Sequence, residues 1–163
     1  MGEAIEKQRA TEVKMCNGIR VEGNTLFVAR TEDALKLLER SREFKIAKPY
    51  LGIIRQGKLS EMKAQELIPA YEVGEITWQY SYFWFASTIA HDAFHSLLYR
   101  QAKEKEGGQE PPVEAWTGTE AERKCIEFQL RVLKELTTDQ YLIKHLEKMK
   151  ENPTHHIDPD RNW

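Results

Sequence analysis

The sequence predicts an α+β fold in which a small mixed or antiparallel sheet packs on a long buried helix and further helices follow. Segments with strand character, such as residues 50–54 and 73–80, lie in the first half of the chain. The longest helical pattern, residues 81–105, has an apolar interior, which is typical of a helix covered on several sides. Helical patterns dominate the remainder, and this separation of strands from helices is typical of α+β proteins.

The composition predicts one globular domain spanning residues 1–163, with flexible ends at 1–15 and 151–163. The net charge is -2 and no basic run stands out, so no nucleic-acid partner is expected. The longest apolar run is too short to cross a bilayer, so no membrane partner is expected. Two cysteines, Cys16 and Cys125, and a polar N-terminus without a signal peptide favour a reduced, cytoplasmic location.

The N-terminal half is predicted to alternate between strands and helices. A turn at residues 22–24 is expected to join strands 19–21 and 25–29 into a hairpin, because glycine and asparagine favour turns. Thr31 is a suitable N-cap for a helix that ends before Pro49. The other predicted elements of this half are a strand at 50–54, a short helix at 60–67 and a strand at 73–80.

The C-terminal half is predicted to be helical. The helix at residues 81–105 ends in a loop at 107–112, where two glycines and two prolines cannot continue it. Thr119 and Glu122 have the spacing of a capping box and open a helix that runs to about Leu136. A last helix is predicted at 140–150 with Asp139 as its N-cap.

Two histidines in the long helix are the strongest indication of chemistry. His91 and His95 are four residues apart, which places both imidazoles on one helix face, roughly 6 Å apart. A buried imidazole costs free energy unless its ring nitrogens find partners, and a zinc ion can bind one nitrogen of each ring. The pattern also permits a metal-free pair that is hydrogen-bonded to neighbouring hydroxyls, such as those of Ser87, Thr88 or Tyr99.

A catalytic zinc site needs a third protein ligand and leaves one position for water. Glu122 is the best candidate because it lies one loop downstream, in the first turn of the next helix. Glu120 is a near rival, but on a helix it points in a different direction. The small Cys125 is expected to be a core residue. Further possible ligands are His145, expected on the surface, and His155 and His156 in the tail.

These motifs resemble those of the zincin metallopeptidases. Zincins carry HExxH on an active-site helix, and their gluzincin branch takes the third zinc ligand from a glutamate on a following helix. The run from His91 to His95 is HDAFH, and the run from Glu122 to Phe128 is ERKCIEF, similar to the ExxAxxF of some small bacterial members. The resemblance implies that the preceding strand, residues 73–80, is the sheet edge along which an extended peptide substrate lies.

The resemblance also implies a role for Asp92, which stands where the family has a glutamate. That carboxylate takes a proton from the attacking water and passes it to the leaving amine. Aspartate is one methylene shorter, and catalysis is sensitive to displacements of about 1 Å. The sequence therefore predicts a zinc-dependent peptidase, with two alternatives: a catalytically weakened zincin-fold domain that binds zinc or a partner, and a metal-free α+β interaction domain.

Overall fold

A computed structural model describes residues 11–153 as a mixed α+β architecture. The five strands are β1 (Glu12–Cys16), β2 (Ile19–Gly23), β3 (Ile53–Gln56), β4 (Glu61–Lys63) and β5 (Ala70–Val73). The first helices are α1 (Thr25–Leu38), α2 (Phe44–Ala47), a 3₁₀ turn (Lys48–Tyr50) and α3 (Glu75–Tyr80). The later helices are α4 (Tyr82–Lys105), α5 (Glu114–Thr117), α6 (Thr119–Leu136) and α7 (Gln140–Glu151). Strand β1 begins inside the segment 1–15 that was expected to be flexible.

The sheet is mixed, with the strand order β1-β2-β3-β5-β4. Strands β2, β3 and β5 are parallel to one another, whereas β1 and β4 pair antiparallel at the two edges. Val21, Ile54, Tyr71 and Met62 lie opposite one another on successive strands, and all four are buried in the main apolar cluster. The same cluster contains residues of α4, so this face of the sheet covers the long helix.

The predicted hairpin lies elsewhere in the structure. Strands β1 and β2 form it, and the turn between them is Asn17-Gly18. Both turn residues have positive φ, 52° and 82°, which asparagine and glycine tolerate best and which a tight hairpin turn requires. The segment 25–29, predicted as a strand, is instead the first part of α1.

Helix α1 begins earlier than predicted because Asn24 caps it. The Asn24 side chain accepts a hydrogen bond of 2.8 Å from the backbone amide of Phe27. Thr31 is therefore not an N-cap; it lies inside the helix and donates to the Phe27 carbonyl at 2.7 Å. The helix ends at Leu38, so the continuous helix predicted up to Pro49 is wrong.

Two predictions near the site are also wrong. Residues 60–67 were predicted as a helix, but they contain the edge strand β4. The strand predicted at 73–80 ends at Val73, and Gly74 is the N-cap of α3. The amide of Gly74 donates to the buried Ser60 hydroxyl at 3.1 Å, which holds the chain where it turns from sheet to helix. The edge of the sheet on this side is therefore β4.

The predictions for the C-terminal half are confirmed, apart from the capping box. Helix α4 starts after Ser81, whose side chain accepts from the Trp84 amide at 3.0 Å. Asp139 caps α7 and accepts from the Tyr141 amide at 2.9 Å. The N-cap of α6 is Gly118, without a side-chain cap.

Within residues 11–153, no helix combines the length and apolar character needed to cross a bilayer.

Candidate metal centre

Two adjacent helices carry the candidate site. Helix α4 supplies His91, Asp92 and His95, and α6 supplies Glu122 and Cys125. None of these five residues is more than 6% exposed. The structure therefore brings together the three ligands predicted from the sequence, in a region where ionisable groups need partners to offset their desolvation.

Three groups of the predicted ligands, the two imidazole Nε2 atoms and one carboxylate, form a compact triangle. The two Nε2 atoms of His91 and His95 are 3.1 Å apart. The Glu122 carboxylate lies against both, with Oε1 at 3.1 Å from His95 Nε2 and Oε2 at 3.3 Å from His91 Nε2. Neighbouring ligands of a tetrahedral zinc ion with bonds of about 2.0–2.1 Å are roughly 3.3 Å apart. The distances between neighbouring groups of the triangle are close to this ligand spacing.

The tautomer of His95 follows from its second ring nitrogen. His95 Nδ1 lies 2.5 Å from the backbone carbonyl oxygen of Trp116, in the segment between α4 and α6. A carbonyl oxygen only accepts hydrogen bonds, so Nδ1 must carry the hydrogen. In the neutral ring, Nε2 therefore presents its lone pair to His91 and Glu122, as a metal ligand requires.

A chain of hydrogen bonds assigns the same tautomer to His91. The Ser87 hydroxyl donates to the Trp84 carbonyl at 2.7 Å and so can accept from Gln129 Nε2 at 3.0 Å. That orients Gln129 Oε1 toward His91 Nδ1, 2.9 Å away, and the amide oxygen can only accept. Gln129 thus contacts the candidate site but was not predicted from the sequence, although it lies two helical turns after Glu122 and so on the same face of α6.

The converging lone pairs favour a positive charge at the centre of the triangle. Two imidazole nitrogens and a carboxylate repel one another at these distances unless a proton or a metal ion lies between them. Burial lowers the pKa of His95, but neighbouring Cys125 and Glu122 together raise it well above its usual range. The His95 ring therefore favours its protonated form even though it is buried.

Cys125 lies beside the triangle. Ligand atoms of His91, His95 and Cys125 all lie within 4.8 Å of one another, so this buried group could hold a metal ion. Cys125 was expected to be a core residue, and it is fully buried. Its position three residues after Glu122 places it on the same helix face, and this spacing was the available signal for its place near the site.

The other residues considered from the sequence lie away from the triangle. Glu120 is exposed and forms an ion pair with Arg123. His145 is also exposed, and its ring contacts Trp84, which lies two helical turns before His91 on α4. The hydroxyls of Ser87, Thr88 and Tyr99 donate to Trp84, Phe85 and Glu110 respectively, and not to the histidine rings. His155 and His156 lie outside the described residues.

A cleft of about 380 Å³ opens onto the site. Asp92, His95 and Glu122 contribute to its lining from the two helices. Its other lining residues are Ser60, Glu61, Met62, Gln65, Val113, Trp116 and Thr117. One wall of the cleft is thus the edge strand β4, and another is the segment around α5, so a molecule in the cleft would contact both the sheet edge and the metal-binding side chains.

The buried carboxyl of Asp92 has a raised pKa. The residue is 5% exposed, and its Oδ2 atom has no hydrogen-bond partner among residues 11–153. Burial raises the pKa of Asp92 to about 7; His95 opposes this shift, while Glu122 and Glu61 add to it. A carboxyl with a pKa near neutrality can both accept and return a proton at physiological pH.

Comparisons of the chain with protein-family models, with curated proteins and with solved structures give no match. The class of the protein is therefore defined by its fold and its site. It is a mixed α+β protein in which two histidines and a cysteine, with a glutamate beside them, form a buried group able to hold a metal ion.

Proposed function

We propose that the chain is a zinc-dependent peptidase whose zinc ligands are His91, His95 and Glu122. One observation carries this proposal: the two imidazole Nε2 atoms and the carboxylate oxygens of these side chains converge at distances of 3.1–3.3 Å beside a cleft. Two imidazoles and a carboxylate in tetrahedral arrangement are typical ligands of catalytic zinc. The same donors would be a poor site for magnesium or calcium, which prefer oxygen ligands in larger coordination shells.

The chemistry of the proposed reaction is hydrolysis of a peptide bond. A zinc ion bound here would supply a Lewis acid for the peptide carbonyl and would lower the pKa of a water molecule. Asp92 lines the same cleft and would accept a proton from the attacking water and pass it to the leaving amine. Strand β4 has a free edge beside the site, so an extended peptide or protein segment would bind along residues 61–63.

A second candidate function is a catalytically weakened domain that binds zinc or a partner. The observation in its favour is the position of Asp92, whose Oδ2 atom is buried and unbound among the described residues. Its stem is one methylene shorter than that of glutamate, so the carboxylate reaches less far toward the triangle. In this case the metal would stabilise the fold and the cleft would bind without cleaving.

Metal analysis of the purified chain tests the zinc site shared by both candidates. The expected result is one zinc per chain after mild dialysis, with less than half of that in a His91→Ala variant. A His145→Ala variant is the matched control, because that histidine is exposed on α7, and it should retain the metal. A folded native chain that binds no zinc would exclude both candidates and favour the metal-free interaction domain.

Peptide cleavage separates the two candidates. The peptidase proposal predicts that the zinc-loaded chain cleaves a mixed library of unstructured peptides and that Asp92→Asn abolishes cleavage without loss of zinc. Asp92→Glu is the informative second variant. Activity in that variant alone, with none in the native chain, would establish the weakened domain in place of the peptidase.

The thiols are consistent with a reducing compartment, and we propose the cytoplasm as the place of action. Cys16 and Cys125 are both buried and unpaired. Cys16 lies on β1 and Cys125 on α6. Proteins with free thiols beside a metal site are most common where thiols stay reduced.

A further inference from the structure

Cys125 differs from an ordinary core cysteine. Cys16, the other cysteine, belongs to the main apolar cluster of the described residues. Cys125 is 0% exposed but belongs to neither of the two apolar clusters found in residues 11–153. Its sulfur instead lies within 4.8 Å of a ring nitrogen of His91 and of His95. A thiol is a weak hydrogen-bonding group, so packing and hydrogen bonding explain this placement poorly.

A metal ion could lie on either face of the triangle formed by the two imidazole nitrogens and the carboxylate. An ion on the cleft side would take its fourth ligand from the cleft, which Asp92, His95 and Glu122 line. Cys125 is not part of that lining, yet its sulfur lies within 4.8 Å of a ring nitrogen of each of the two histidines. An ion on the side of the thiol would therefore find a fourth protein ligand already in place.

We propose that the thiolate of Cys125 is the fourth metal ligand of the resting protein, which closes a His₂-Glu-Cys site. This inference rests on the zinc site proposed above and adds a ligand to it. On binding, the thiol loses its proton to solvent and the sulfur bonds to the metal. A thiolate is a soft donor, so the closed site selects zinc or cobalt over manganese and magnesium.

The closed site has a consequence for activity. Four protein ligands leave a tetrahedral ion without a position for water or a peptide carbonyl. Peptide hydrolysis at this centre then requires the Cys125 thiolate to leave the ion, for example when a peptide fills the cleft. The protein would thus hold its metal tightly at rest and expose it only with substrate bound.

Cobalt substitution tests the inference on the full chain without reference to activity. Co²⁺ bound by a thiolate shows sulfur-to-metal charge-transfer absorption in the near ultraviolet, whereas any tetrahedral Co²⁺ site shows visible d–d bands. The chain has only two cysteines. We expect the charge-transfer band in the native chain and in Cys16→Ala, the matched control. In Cys125→Ala the band should disappear while d–d bands persist, with affinity reduced at least about tenfold.

Each outcome decides a different proposal. A native chain that binds cobalt with visible bands but without charge transfer would overturn the role of Cys125 and leave the zinc site intact. A folded native chain that binds no cobalt would overturn both. Loss of the band in Cys16→Ala would also overturn the assignment. If Cys125→Ala does not fold, the native spectrum and the Cys16→Ala spectrum still identify the thiolate, because no third cysteine exists.

Discussion

Replacing Gln129 with leucine should weaken zinc binding by about 10- to 100-fold while the chain remains folded. Gln129 accepts a hydrogen bond from His91 Nδ1 at 2.9 Å and donates one to the Ser87 hydroxyl at 3.0 Å. Leucine has a similar volume but neither polar group, so the buried histidine loses the partner that selects its tautomer.

The expected loss of zinc affinity depends on whether the substitution destabilises the metal-free or the zinc-bound protein. Without metal, His91 can move its hydrogen to Nε2 and direct it toward Glu122, so little is lost. With zinc on Nε2, the hydrogen must stay on Nδ1, where leucine offers no acceptor. A buried unsatisfied donor costs about 1–3 kcal/mol. Since about 1.4 kcal/mol is a factor of ten, the affinity falls by roughly one to two powers of ten.

Competition with a chelator of known affinity measures the effect, and urea unfolding of the metal-free chain checks the fold. Gln129→Glu is the matched control, because its carboxylate oxygen can accept the same hydrogen bond from His91; it should bind zinc within a few-fold of the native chain. Native zinc affinity in a folded Gln129→Leu variant would refute the tautomer argument.

Three further predictions concern stability, each measured by urea or thermal unfolding. Asn24→Ala should destabilise the fold by about 1 kcal/mol, because the cap to Phe27 is lost, whereas Asn24→Asp should not. Gly23→Ala should cost about 1–3 kcal/mol, because the added Cβ would overlap the Phe27 ring. Burial raises the pKa of Glu135, but hydrogen bonds from Ser41 and the next two amides lower it more. Glu135→Gln should therefore cost about 1 kcal/mol at pH 7, and this difference should vanish well below pH 4.5, where both states are protonated; a difference that does not depend on pH would contradict this reasoning.

The parts of the site that could be predicted from the sequence are those that depend on helical spacing. His91 and His95 are four residues apart on a helix that was predicted almost to the residue, so their common face followed from geometry. Glu122 could be placed because its helix begins one loop later. Helices of this length have a long periodic pattern, which local sequence specifies well.

The features that could not be predicted from the sequence depend on contacts between residues far apart in the chain. Gln129 meets His91 across 38 positions, and Trp116 reaches His95 through its backbone, which side-chain patterns do not reveal. The strand β4 has only three residues, which are too few to show the alternation of apolar and polar residues that identifies a strand. The hairpin turn at Asn17-Gly18, by contrast, has a strong local signal, an asparagine followed by a glycine, although the turn was predicted at residues 22–24.

The burial of His91, His95 and Glu122 between two packed helices argues that stability alone did not select these residues. Well-packed apolar side chains in place of a buried charged group are often neutral or stabilising, by about 1–4 kcal/mol. A variant with leucine at all three positions should therefore equal or exceed the stability of the metal-free native chain. Zinc at about 100 times its Kd should add about 2.7 kcal/mol to the native chain and nothing to the variant. If the variant instead unfolds in the absence of metal, the three side chains are a structural hydrogen-bonding network, and the metal-free interaction domain becomes the better interpretation.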